Sequence, residues 1–180
     1  MPKKPRLLLL DAVAIVAAFR AGVWDHLVSA YEVVVSSVVM DEAHFYDDPG
    51  TGRRHPIDLA AMEAAGTIQG CEVSLAEVSA LLARFDGTLS IHAGEAEALA
   101  YLASVDESVD IRFVTSDRAA LYATALLDLG HRSMCLADVL RACGVSKRLE
   151  PQHETEYHRA CIAHGTQMRI QGHGLARRRT

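Results

Sequence analysis

The sequence predicts an α/β protein built around a central, mostly parallel sheet. Three observations carry that prediction. Short apolar, β-branched runs alternate with longer helical stretches, the pattern left by strand–helix crossovers. Residues 7–10 (LLLL) are apolar along their whole length, as a strand covered on both faces is. Two of the strand-like runs end on an acid just where a helix begins. In a parallel sheet both ends lie at one edge, and ligands bind outside that edge.

Taken in order, residues 7–10 (LLLL) read as a strand that stops at Asp11, and residues 12–20 as a helix. Residues 31–36, with Val33, Val34 and Val35, read as a second strand. Ser37 then offers an N-cap for a helix starting near Val38 and carrying Asp41 and Glu42. Residues 47–56 hold Pro49, Gly50, Gly52 and Pro56 and read as a loop that also carries Arg53, Arg54 and His55. A short helix over 57–65 and a strand or linker over 67–73 follow. Residues 74–85 place Leu75, Val78, Leu81, Leu82 and Phe85 at helical spacing, and residues 94–104 do the same with Ala96, Leu99, Ala100 and Ala103. Residues 111–115 form a strand ending at Ser116–Asp117. A helix over 119–129 stops at Gly130, and a strand over 132–136 leads into a helix over 137–143.

The chain has 180 residues, half of them apolar, and a formal net charge of −5. That is one ordinary domain with ample apolar material for a core. The charge is unevenly spread. Residues 1–144 hold eleven Lys/Arg against twenty Asp/Glu, and residues 145–180 hold seven against three. The expected division is a catalytic domain over 1–144 and a polar, basic C-terminal extension over 145–180, a docked helix followed by a looser end. The acidic balance argues against a simple basic glove for nucleic acid. It leaves a nuclease open, because acids gathered at a metal site also count against the balance.

Cys71, Cys135, Cys143 and Cys161 show no CxxC spacing, so reduced thiols in a cytoplasmic protein are expected. Lys3, Lys4 and Arg6 before an apolar stretch superficially fit a signal peptide, but Asp11 interrupts the apolar core. No run of ~18 apolar residues exists, so no membrane span is expected.

The chemistry is expected from carboxylates. Asp11 and Asp117 follow strands, Glu42 lies on the helix after the second strand, and Glu95 and Glu97 begin a later helix. Like charges brought together raise one another's pKa, and a hard divalent cation relieves them. Mg²⁺ and Mn²⁺ take oxygen ligands, often beside phosphates. Each acid also has a plainer reading, a turn or N-cap for Asp and a solvated helix face for Glu.

The strings LLLLDAVAIVAAF, VVVSSVVMDEAHF, GEAEALAYLA and RFVTSDRAAL, in that order, resemble the PIN domain, a family of metal-dependent ribonucleases. The resemblance covers about residues 7–144, and Thr-Ser-Asp-Arg after an apolar strand is its most specific part. It implies a PIN-like α/β/α sandwich that binds Mg²⁺ or Mn²⁺ and cuts single-stranded or loop RNA. It places the acids on Asp11, Glu42 (with Asp41 as the neighbouring fallback), Glu97 and Asp117. Glu97 is favoured from its EALA string, with Glu95 as a second candidate. Two residues on a helix differ by about 200°, so the two cannot share one direction if both are helical; with Glu95 in the first turn or the cap, both face the site, one directly and one through water. Many small members are VapC-like toxins held by an antitoxin, so an antitoxin protein or a homodimer is an implied partner.

Thr115 and Ser116 either hold a metal water or phosphate, or close a turn. Arg118, Arg53 and Arg54 are candidate phosphate contacts. His44 and His92 adjoin proposed acids. Cys161 and His164 stand at i, i+3 but match no common zinc finger. Arg177–Arg179 offer a basic end for RNA. Two further readings are a non-catalytic PIN-fold module that binds RNA or protein, and a metal-dependent phosphatase.

Overall fold

The computed structural model describes residues 6–176. Lys3, Lys4 and Arg177–Arg179 lie outside these described residues. Along the chain run β1 (Leu7–Leu10), α1 (Ala12–Arg20), α2 (Trp24–Ala30), β2 (Glu32–Ser36) and α3 (Ser37–Glu42). Then come β3 (Phe45–Asp47), β4 (Arg54–Pro56), α4 (Leu59–Ala64), β5 (Gln69–Cys71) and α5 (Leu75–Leu82). The last group is α6 (Ala93–Ser104), β6 (Ile111–Val114), α7 (Arg118–Leu126), β7 (Ser133–Met134), α8 (Leu136–Ala142) and α9 (Thr155–Ile170).

Five strands form one parallel sheet in the order β5-β2-β1-β6-β7. The chain builds outward from β1 through β2 to β5, then returns to β6 on the other side of β1. The order therefore reverses at β1, and a crevice opens outside the carboxyl ends of β1 and β6. Leu10 pairs with Val114, so Asp11 and Thr115 leave the sheet side by side.

Helices cover both faces of the sheet. Leu8, Leu10, Val33 and Val35 pack with Ile15, Leu27, Leu136 and Leu140 from α1, α2 and α8. Leu9, Val34, Ile111 and Phe113 pack with Leu81, Leu99, Leu102 and Leu126 from α5, α6 and α7. Alternate residues of one strand thus serve opposite cores, which is why LLLL is apolar throughout. Each core leucine contributes on the order of 2 kcal/mol by burial.

Several elements differ from the sequence reading. Residues 47–56 are not simply a loop: β3 and β4 pair antiparallel across it. Tyr46 of the hairpin stacks between Phe19 of α1 and His55, with ring centroids 5.6 and 5.2 Å away. That long-range stack holds strands of three residues which local sequence does not specify. Helix α2 was not anticipated. It is seven residues long, and its Trp24 stacks on Phe19 at 4.6 Å. β7 is only two residues long; the residue before it, Arg132, is buried and donates to the carbonyls of Leu102 and Val105.

The segment after residue 144 is an integral part of the packing. α9 lies along α7, and Gly165 makes the close approach possible: a Cβ there would sit 2.8 Å from Ala125 Cβ and 2.9 Å from Tyr122 O. Beyond α9 the chain returns to α5. Gly174 N donates to Asp86 Oδ2 at 3.0 Å, and Ala176 N donates to Arg84 O at 2.8 Å. Among the described residues no single helix is long and apolar enough to cross a membrane.

Candidate functional site: an acidic cavity at the sheet edge

Asp11 ends β1 and caps α1. Its Oδ1 accepts from Ala14 N at 2.7 Å, and its Oδ2 accepts from the Thr115 hydroxyl. The side chain is almost wholly buried. Burial pushes its pKa up to about 7. The neighbouring Glu95 and Asp117 charges push the same way, and the Thr115 and Ala14 hydrogen bonds oppose the shift.

Asp117 ends the adjacent strand and caps α7, with Oδ1 accepting from Ala120 N at 2.9 Å. Its own backbone N–H donates to Thr115 Oγ1 at 3.0 Å. The Thr115 hydroxyl thus receives from one strand end and donates to the other, fixing the two acids relative to each other. Ser116 between them is buried.

The third wall comes from the start of α6. His92 is the N-cap, which makes Glu95 the third helical residue. Glu95 Oε2 accepts from His92 N at 2.9 Å, the return half of a capping box. Burial raises the pKa of Glu95, and the charges of Asp117 and Glu42 add to the rise. Glu42, at the last turn of α3, reaches this helix start because residue 94 is glycine. A Cβ on Gly94 would lie 2.8 Å from Glu42 Oε2.

These pieces enclose a cavity of about 240 Å³ lined by Asp11, Glu42, Glu95 and His92, with Ala12, Val13 and Val39 as its apolar wall. Asp117 is not in the wall, but its charge is felt at both Asp11 and Glu95. Asp41, the sequence fallback for Glu42, is exposed and outside the lining.

Glu97 is placed elsewhere, and this reverses the sequence preference. Its Oε1 accepts from Ser37 Oγ at 2.6 Å and its Oε2 from Val38 N at 2.8 Å. Both carboxylate oxygens therefore serve the first turn of α3, whose own cap residue Ser36 makes no side-chain cap bond. The physical reason is helical phase. With the helix starting at Ala93, Glu95 turns to the cavity and Glu97 is rotated away toward α3.

The remaining candidates are spread out. Arg118 is tied to the Tyr157 hydroxyl of α9. Arg54 pairs with Asp47 at 3.2 Å and lies 4.0 Å over the Phe45 ring; Arg53 is exposed beside it on the hairpin. The hairpin reaches the site indirectly, through a second cavity lined by Glu42, Phe45, Tyr46 and Arg20. His44 is exposed and outside the acidic cavity. Cys161 is buried, and His164 packs on the Tyr122 ring at 4.7 Å, so this pair is used in the α7–α9 interface.

The donor set fits a hard divalent cation in kind. It is carboxylate oxygen only, it comes from four separate segments, and burial, with a smaller push from neighbouring acids, raises two of its members. Its present arrangement is looser. Among the described residues no three His, Cys, Asp or Glu side chains gather closely enough to ligate one ion. Asp11, Glu95 and Asp117 each spend an oxygen on a backbone amide, which holds them at their helix starts. A carboxylate keeps further lone pairs beyond those bonds.

No family model, curated protein or solved structure matches this chain. Fold and site together define an α/β protein with an acidic cavity at the reversal point of a five-stranded parallel sheet.

Proposed function

We propose that this chain is a PIN-like, Mg²⁺- or Mn²⁺-dependent ribonuclease that hydrolyses phosphodiester bonds of single-stranded or loop RNA. The single observation that supports this most is the convergence of Asp11, Glu42 and Glu95 on one cavity, with Asp117 within electrostatic reach. Asp11, Glu42, Glu95 and Asp117 would hold the cation. When bound, the cation would offset their charge and polarise a phosphodiester and its attacking water. The chain's own part is positioning. Thr115 fixes Asp11 against Asp117, the amides of Ala14 and Ala120 fix each acid at its helix start, and Gly94 admits Glu42. Val13 and Val39 line the cavity with apolar surface. A single strand suits the site because its exposed phosphates and bases can enter the acid-lined cavity.

The experiment is cleavage of a labelled single-stranded RNA with Mg²⁺, with and without EDTA, comparing wild type with Asp11→Asn and Asp117→Asn. Cleavage that needs metal and is lost in both variants is expected. Metal-independent cleavage, or full activity in both variants, refutes the reading.

A second reading is a non-catalytic module that grips RNA or protein at the same edge. The observation favouring it is that Asp11, Glu95 and Asp117 are engaged by local amides and that no three acids close on one point. Binding without any divalent metal, and no turnover with it, would select that reading. The toxin role, with an antitoxin as partner, and a homodimer belong to the proposal only through the sequence resemblance.

A further inference from the structure

The exposed side of α1 carries more than the acidic cavity. The wall residues Ala12 and Val13 are shared with a second cavity, which continues over Val16 and Ala17 to Arg20 and His153. A third cavity of about 350 Å³ takes over at Ala17 and Arg20 and ends at Lys147, Arg148 and His153. The three form one track along α1, acidic at the helix start and basic at its end. α1 has nine residues, so the track is roughly 13 Å long. At about 3.4 Å per nucleotide along a stacked strand, that is room for about four nucleotides.

The charges at the far end are available. Arg20 pairs with Glu150 at 3.0 Å, which leaves Lys147 and Arg148 uncompensated; both are exposed and make no ion pair among the described residues. His153 is 5 % exposed, lines two of the cavities and makes no side-chain hydrogen bond among the described residues. The groups facing its ring from the packed elements are Arg20, Glu150 and Glu154. The 3-10 turn at Pro151–His153 that carries it is anchored by α9.

We propose that Lys147, Arg148 and His153 form a phosphate subsite. It would hold a single RNA strand about four nucleotides away from the acidic cavity, so that the strand crosses α1 to reach it. This rests on reading the acidic cavity as the phosphodiester site. Charge complementarity selects the occupant: a chain of phosphates spaced along the track meets cations at one end and, at the other, acids that a divalent ion neutralises. An acidic peptide would meet the same cations but gains nothing from the carboxylate end. The subsite sets binding and register. It does not touch the reacting phosphate.

The test is binding of a fluorescein-labelled oligouridylate of about twelve nucleotides, followed by anisotropy in EDTA and across a salt series. The variants are Lys147→Ala/Arg148→Ala, His153→Gln, and Arg84→Ala as a control on the opposite layer of the sandwich. The double variant is expected to bind roughly three- to thirtyfold more weakly, because two exposed charge contacts are lost. The slope of log affinity against log salt should become shallower by about 1.4, or 0.7 per phosphate contact. Where cleavage is measured, KM should rise and kcat stay level. Unchanged affinity and salt slope in the double variant overturn the subsite even if RNA is cut. Weakened binding in that variant supports it even if no cleavage is found, so its failure and that of the nuclease reading are separable. Tighter binding of an oligoglutamate than of the oligouridylate would also overturn it, in favour of an acidic protein partner. His153→Gln checks for a folding defect: thermal melting unchanged with affinity lowered supports direct contact, whereas affinity unchanged removes His153 from the subsite.

Discussion

Replacing Asp11 with Asn tests how far the acidic cavity is held under electrostatic stress. The Asp11 carboxylate is 2 % exposed, and its pKa in the fold is about 7, against 3.8 for the unperturbed group. A group raised in this way binds its proton more tightly folded than unfolded. Its stabilising contribution is complete below about pH 3.8 and is lost as pH rises toward 7. The cost of the charged form reaches about 4 kcal/mol near pH 8 and about 1 kcal/mol near pH 4.5. Asn is neutral at every pH, and it can still cap α1 toward Ala14 N. In EDTA the variant should therefore melt about 8–16 °C above wild type near pH 8 and only a few degrees above it near pH 4.5. Differential scanning calorimetry at the two pH values measures this directly. Saturating Mn²⁺ near pH 8 should then raise wild type by about 2.7 kcal/mol at a hundredfold excess over Kd, and leave the variant almost unmoved. An Asn variant no more stable than wild type near pH 8, or one with the same advantage at both pH values, would refute the reasoning.

Other perturbations separate site from scaffold. Glu97→Gln should cost about 1–2 kcal/mol, read as a fall in Tm, because one of its charge-assisted bonds to Ser37 or Val38 is weakened; Mn²⁺ affinity by calorimetry should not change. Glu95→Gln keeps an acceptor for His92 N and should leave Tm near wild type or higher, while Mn²⁺ affinity falls roughly tenfold or more. Thr115→Val removes the hydroxyl between Asp11 and Asp117. The apparent pKa of Asp11, followed by carboxyl NMR, should move further up, since a bond that lowers it is lost. Gly165→Val should destabilise the whole chain by about 1–3 kcal/mol in denaturant unfolding, because its side chain meets Ala125 and Tyr122. A separate, weaker transition would instead make α9 an appendage.

The parts legible in the sequence were those set by burial on both sides of a sheet. LLLL is apolar throughout, and IRFV is so apart from the half-buried Arg112, because Leu9 and Phe113 enter one core and Leu8 and Val114 the other. The acids after them are legible for the same reason: a strand that ends at a helix start must cap it, and Asp11 and Asp117 do. The choice between Glu95 and Glu97 was not legible from the EALA string. It depends on the helix beginning at Ala93, and the local signal was the capping spacing from His92 to Glu95, with an unusual cap residue that masks it. The β3–β4 hairpin hid beneath its own turn residues, since its support is a ring stack with Phe19 twenty-seven residues away. That the basic end of the α1 track lies beside Arg20 was not legible, because Arg20 and Lys147 line one cavity only in the folded chain. The charge split pointed to residues 145–180 as basic, and among the described residues that charge meets the track at Lys147 and Arg148.

The most direct test of the acidic cavity is a Mn²⁺ titration followed by electron paramagnetic resonance, on wild type and on Asp11→Asn, Glu95→Gln and Glu97→Gln. The account predicts saturable loss of the free-ion signal in wild type, strong weakening in the first two variants and wild-type behaviour in Glu97→Gln. Equal binding in all four proteins, or a loss confined to Glu97→Gln, would contradict it.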